Sequence, residues 1–103
     1  MNFLKQLFGG GTATADLKSI IADGAYLVDV RTPGEFAGGH VKGSVNIPLD
    51  LLPTQMSKLK SKKSIIVFCR SGSRSSIAKS LLEKNGFTNV INGGSWDSVN
   101  RLV

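Results

Sequence analysis

The sequence predicts an α/β fold: a mainly parallel sheet of about four to five strands with helices on both faces. Three observations predict it. Short apolar runs alternate along the chain with segments whose apolar residues recur at helical spacing. Turn pairs such as Asp23-Gly24, Gly38-Gly39 and Asn85-Gly86 separate them. The most hydrophobic run, Ile65-Ile66-Val67-Phe68, leads through a Gly- and Ser-bearing loop into a helical pattern, a strand-to-helix handover. At 103 residues the chain can build one core but not two.

The elements follow in order. A first helix is expected over about residues 14–22: Leu17, Ile20 and Ile21 form a stripe, Asp16 suits the first turn, and Asp23-Gly24 ends it. Residues 26–30 read as a short buried strand, and Thr32-Pro33-Gly34 as a turn into a brief helix at Glu35-Phe36-Ala37. Residues 45–47 make a second strand closed by Pro48. Asp50 is placed to cap the next helix, whose stripe is Leu52, Met56 and Leu59, with Pro53 tolerated in its first turn. Residues 65–68, apolar without interruption, belong in the middle of the sheet. The helix after Cys69 carries Ile77, Ala78, Leu81 and Leu82 and stops at Asn85-Gly86, with Phe87 placed for a C-cap contact. Val90-Ile91 is the last strand, and residues 95–102 form a terminal helix.

The chemistry concentrates at Cys69-Arg70-Ser71-Gly72-Ser73-Arg74-Ser75. The only cysteine in the chain stands where a buried strand meets a helix N-terminus. Backbone N–H groups converge there and the helix dipole adds partial positive charge. A thiol in that field ionises more easily, and the thiolate is the nucleophile. Gly72 permits a tight, left-handed turn that points successive N–H groups inward. Arg70 and Arg74 are placed to attract an anion, and Ser71, Ser73 and Ser75 to donate hydroxyl bonds or cap the helix. Asp29, at the end of its apolar strand, faces the same sheet edge, where Arg31 or loop amides are its expected partners.

This loop, the block at residues 27–36 (Leu-Val-Asp-Val-Arg-Thr-Pro-Gly-Glu-Phe), the block at residues 39–48 and Val90-Ile91-Asn92-Gly93-Gly94 together resemble the rhodanese family of sulfurtransferases in its small single-domain form. The resemblance spans nearly everything after the first dozen residues. It implies a relay in which Cys69 takes the outer sulfur of thiosulfate or a persulfide donor, holds it as a persulfide and passes it to cyanide, a thiol or a protein acceptor. It also implies no metal and no organic cofactor. The loop residues Arg70, Ser71, Gly72, Ser73, Arg74 and Ser75 would bind the donor, with Asp29 and Arg31 in support. Ser73 stands where relatives often carry asparagine. His40, the only histidine, would be scaffold, and Trp96 core or pocket wall. The rival enzyme class is a cysteine phosphatase or arsenate reductase. Those loops generally place arginine six positions after cysteine, where this chain has Ser75, with Arg74 one residue early. A non-catalytic sulfur-carrier or binding module on the same fold is the other alternative.

Composition sets the surroundings. A single cysteine excludes an intramolecular disulfide framework and suits a reduced, cytoplasmic setting. The net charge of +6 suits a small anionic substrate. Lys58, Lys60, Lys62 and Lys63 cluster without an interleaved aromatic, which predicts a solvated surface and no nucleic-acid partner. Residues 1–11 read as a short amphipathic segment (Phe3, Leu4, Leu7, Phe8) and a glycine linker before a domain at 12–103. The segment is too short to be transmembrane.

Overall fold

The structure, a computed structural model, describes residues 14–103. The elements are α1 (Thr14–Ala22), β1 (Tyr26–Asp29), α2 (Pro33–Ala37), β2 (Val45–Asn46), α3 (Leu52–Gln55), β3 (Ile65–Cys69), α4 (Ser73–Lys84), β4 (Val90–Ser95) and α5 (Trp96–Asn100). Turns of 3₁₀ helix at Leu49–Leu51 and Met56–Leu59 flank α3. The four strands form one sheet in the order β2-β1-β3-β4, and every pair is parallel. Because β1 and β3 are neighbours with Asp29 opposite Phe68, the loops that leave them lie side by side at the carboxyl edge. Open α/β sheets place their ligands at that edge.

Alternation along β3 divides the core in two. Ile65, Val67 and Cys69 join Leu52, Leu59, Ala78, Leu82 and Phe87 on the α3–α4 side. Ile66 and Phe68 join Leu17, Val41 and Val99 on the α1–α5 side. Every β3 residue is buried, which is why its sequence shows no polar alternation. Each large side chain so enclosed contributes about 1.5–3 kcal/mol relative to exposure.

Several details differ from the sequence expectation. Asp50 caps nothing: it lies inside the first 3₁₀ turn, whose N-cap, Pro48, makes no side-chain cap bond. Ile77 stands 57% exposed, because Ala78 and Leu82 set the buried face of α4 and Leu81 only flanks it. The strand β4 continues to Ser95 instead of ending at Ile91, since its ladder needs backbone and not side chains. The terminal helix is shorter and opens at Ser95, whose hydroxyl accepts from the Ser98 N–H. The α4 stop is as expected. Phe87 N–H donates to Leu82 O and Gly86 N–H to Glu83 O, the two bonds of a Schellman motif.

One irregularity shapes the site. Asn92 lies opposite Val67 and Gly94 opposite Phe68, so Gly93 is an extra residue in β4. A Cβ on Gly93 would lie 2.8 Å from Ile66 Cγ2 and 2.9 Å from Val99 Cγ2. Only glycine lets the bulge press that close to the core. The expected segment at residues 1–11 lies outside the described residues. Among the described residues no helix is long and apolar enough to cross a membrane.

Candidate functional site

Cys69 is the last residue of β3 and is fully buried. The chain then turns through Gly72, at φ +102, into α4. That left-handed turn points the Gly72 N–H at Cys69 Sγ, 3.0 Å away. Gly72 is the N-cap and supplies no side chain, so no serine hydroxyl caps the first turn of α4. Ser75, itself buried, brings its Oγ to 3.6 Å from the sulfur. Burial alone pushes the Cys69 thiol up. The Ser75 N–H, the Ser75 hydroxyl and the N–H groups of Ser71 and Gly72 outweigh it, and the thiol ionises below its ordinary value.

The sequence-predicted residues separate into two groups. Cys69, Gly72, Ser75 and the Ser71 backbone converge on one sulfur atom. The side chains of Arg70, Ser71 and Ser73 face solvent, and among the described residues Arg70 enters no ion pair. Arg74 is committed elsewhere. Its Nη1 and Nη2 donate to Glu35 Oε1 and Oε2 at 2.7 and 3.0 Å, a bidentate pair about two-thirds shielded. The Arg74 hydrogen bonds, then the Thr32 N–H, hold the Glu35 carboxyl down to about 2. Glu35 also completes a capping box with Thr32 at the start of α2.

Asp29 meets Arg31 and not the loop amides. Its carboxylate accepts from Arg31 Nε at 2.9 Å, Nη2 at 2.7 Å and backbone N–H at 3.0 Å. Arg31 Nη2 also donates to Gly39 O at 2.7 Å, and its guanidinium lies 4.6 Å over the Trp96 ring. Trp96 therefore covers a buried ion pair beneath the site. His40 is exposed, stacks on Phe36 with centroids 3.9 Å apart and holds its Nδ1 2.9 Å from Phe36 O.

Sequence reasoning missed two residues. Glu35 could have been found from the Thr-x-x-Glu capping signature, though not its pairing with Arg74 across 39 positions. Asn92 stands in the sequence only as the flank of a glycine pair. Its Oδ1 accepts from Gly94 N–H at 2.9 Å and lies 2.7 Å from Ser75 Oγ, while its Nδ2 lies 3.4 Å from Gly72 O. A Cβ on Gly72 would lie 3.6 Å from Gly94 Cα, so the bulge of β4 forms the floor under the cysteine loop.

A parallel sheet presenting one thiol inside a ring of backbone amides defines a cysteine-loop α/β domain. The chain belongs to the rhodanese-like domain family, which it matches over residues 13–100. It is 41% identical over 68 residues to the uncharacterized protein YqhL of Bacillus subtilis, covering 66% of this chain and 54% of that one. It is 38% identical over 66 residues to a sulfurtransferase of Allochromatium vinosum, covering 64% of this chain and 62% of that one. With the thiosulfate sulfurtransferase PspE of Escherichia coli it shares 35% identity over 76 residues, 72% of this chain and 73% of that one. The chain thus spans 54% and 62% of the length of the first two relatives. Among solved structures, the human single-domain sulfurtransferase TSTD1 superposes with a TM-score of 0.70 at 28% identity, over 88% of this chain and 95% of that one. Bacillus anthracis CoADR-RHD gives 0.74 at 32% identity, over 89% of this chain and 16% of that one.

Proposed function

We propose that the protein is a sulfurtransferase that carries sulfane sulfur on Cys69. The observation that carries this reading is the convergence of loop N–H groups on a buried sulfur, with the Gly72 N–H 3.0 Å from Sγ. The relatives named as sulfurtransferases support it. In the first step the Cys69 thiolate attacks the outer sulfur of thiosulfate. The sulfur–sulfur bond of the donor breaks, its electron pair leaves with sulfite, and Cys69 becomes a persulfide. In the second step a nucleophile, cyanide or a thiolate, attacks the outer sulfur and the Cys69 thiolate is regenerated. Cyanide leaves as thiocyanate. Both steps keep anionic sulfur in the loop, where fixed amides stabilise it without reorganising.

Arg70, exposed and unpaired among the described residues, is the arm that meets the doubly charged donor. Arg74, tied to Glu35, acts mainly by fixing the loop and adding positive potential near Cys69. The domain boundaries proposed for this activity are residues 12–103.

Mass spectrometry after thiosulfate should show a gain of one sulfur, removed by cyanide with release of thiocyanate. Cys69→Ser should keep the fold and abolish both signals. Undiminished thiocyanate production in that variant would overturn the reading, as would aryl phosphate hydrolysis by the wild type faster than its sulfur transfer.

A further inference from the structure

The hydroxyl of Ser75 has one proton and three neighbours that can accept it: Asn92 Oδ1 at 2.7 Å, Gly72 O at 3.1 Å and, once ionised, Cys69 Sγ at 3.6 Å. The Gly94 N–H, 2.9 Å from the same Asn92 oxygen, fixes which end of the amide faces Ser75. Asn92 Oδ1 is the nearest acceptor. While it holds the proton, Ser75 turns a lone pair toward Cys69 and can only accept from the thiol.

We propose that Asn92 is a positioning residue that acts on Cys69 through Ser75, its amide oxygen competing with the sulfur for a single hydroxyl proton. With Cys69 as a thiol, the proton lies on the Asn92 side. When the thiol proton leaves to solvent, the Ser75 O–H rotates and donates to sulfur. No proton passes between Ser75 and Cys69; one hydrogen bond is exchanged for another. Asn92 keeps its bond from Gly94 in both states, so the β4 floor does not move. This rests on Cys69 being the reactive thiol, but the test below reads ionisation and not sulfur transfer.

Charged groups also stand on the elements around Cys69, and Arg74 is coupled to it electrostatically. Arg70 leaves the same loop, Arg74 with its partner Glu35 comes from α4 and α2, and Asp29 ends β1 with its partner Arg31 in the loop that follows. Asp97 on α5 is exposed and paired with Arg101, and β4 carries no charge. All remain in every variant proposed, so they set the baseline and not the differences.

The test measures the rate of Cys69 alkylation by iodoacetamide against pH in wild type, Asn92→Ala, Ser75→Ala and the double variant. Ser75→Ala should raise the inflection, because a donor to the thiolate is lost. Asn92→Ala should lower it by about half a pH unit or more, because the nearest competitor for the hydroxyl proton is gone and only the more distant Gly72 O still competes with the thiolate. The double variant should match Ser75→Ala. An unmoved or raised inflection in Asn92→Ala, or an equal Asn92 effect without Ser75, would overturn the proposal. A second measurement needs no variant. In the wild-type protein the Asn92 side-chain carbonyl ¹³C shift should titrate together with Cys69 and become flat after alkylation. A shift that is flat before alkylation would equally overturn it.

Discussion

Two arginine–carboxylate pairs stand at the carboxyl edge of the sheet, and they are built differently. Asp29 and Arg31 are two residues apart, 0% and 4% exposed, and joined by several bonds to one another and to Gly39 O. Glu35 and Arg74 come from different elements and keep 30% and 33% of their side chains in solvent. A buried pair strands an uncompensated charge when broken, whereas water takes over much of a half-exposed one. The first pair is therefore a strut under the site, and the second an adjustable link between α2 and the cysteine loop.

Deleting each arginine in turn separates the two pairs. Arg31→Ala should cost about 3–5 kcal/mol in urea unfolding, since Asp29 is left buried and unpaired. Arg74→Gln should cost at most about 1 kcal/mol. Equal losses would mean that the pairs do not differ in kind. Arg31→Lys should recover only part of the loss, because lysine cannot reproduce the fork to Asp29 and Gly39.

A smaller effect distinguishes the two loop arginines. Arg74 already has its charge met by Glu35, while Arg70 has no ion-pair partner among the described residues. Arg70→Gln should raise the thiosulfate KM about three- to tenfold, a loss of roughly 1 kcal/mol, and Arg74→Gln by less. The reverse ranking in steady-state kinetics would move the donor site from Arg70 to Arg74.

The smallest effect is in acid. The Glu35 carboxyl falls from the ordinary 4.5 to about 2, chiefly through Arg74 and then the Thr32 N–H. A depressed carboxyl adds stability that is fully present above about 4.5 and disappears as pH falls toward about 2. Glu35→Gln should flatten the stability profile in that window and lose at neutral pH what the carboxylate adds there, at most about 1 kcal/mol for so exposed a pair, while matching the wild type near pH 2. A wild-type profile already flat there would show that the link contributes nothing.

Most of the architecture was legible because it follows from periodicity. The unbroken run Ile65-Ile66-Val67-Phe68 announces a strand buried on both faces, and the handover to Gly72 locates the cysteine loop. What was not legible depends on tertiary placement. No local pattern joins Arg74 to Glu35 or Ser75 to Asn92, 39 and 17 positions apart. The Asn-Gly-Gly-Ser stretch read as the end of a strand because it lacks apolar side chains, yet its backbone pairs through Ser95. The orientation of α4 was blurred because Ile77, Ala78, Leu81 and Leu82 span more than one face, and only the neighbours decide which is covered.

The contact of Gly72 with Gly94 limits how this corner can diverge. Both residues have left-handed backbones, at φ +102 and +83, so a side chain at either is strained whatever space surrounds it. Elsewhere in the core a loss of volume at one position can be offset by a gain at its neighbour. Here no second-site change can compensate, because the conflict lies within the substituted residue itself. A randomised library selected for folded, sulfur-accepting protein would therefore tolerate change at the exposed Ser71 and Ser73 and stay nearly invariant at these two glycines.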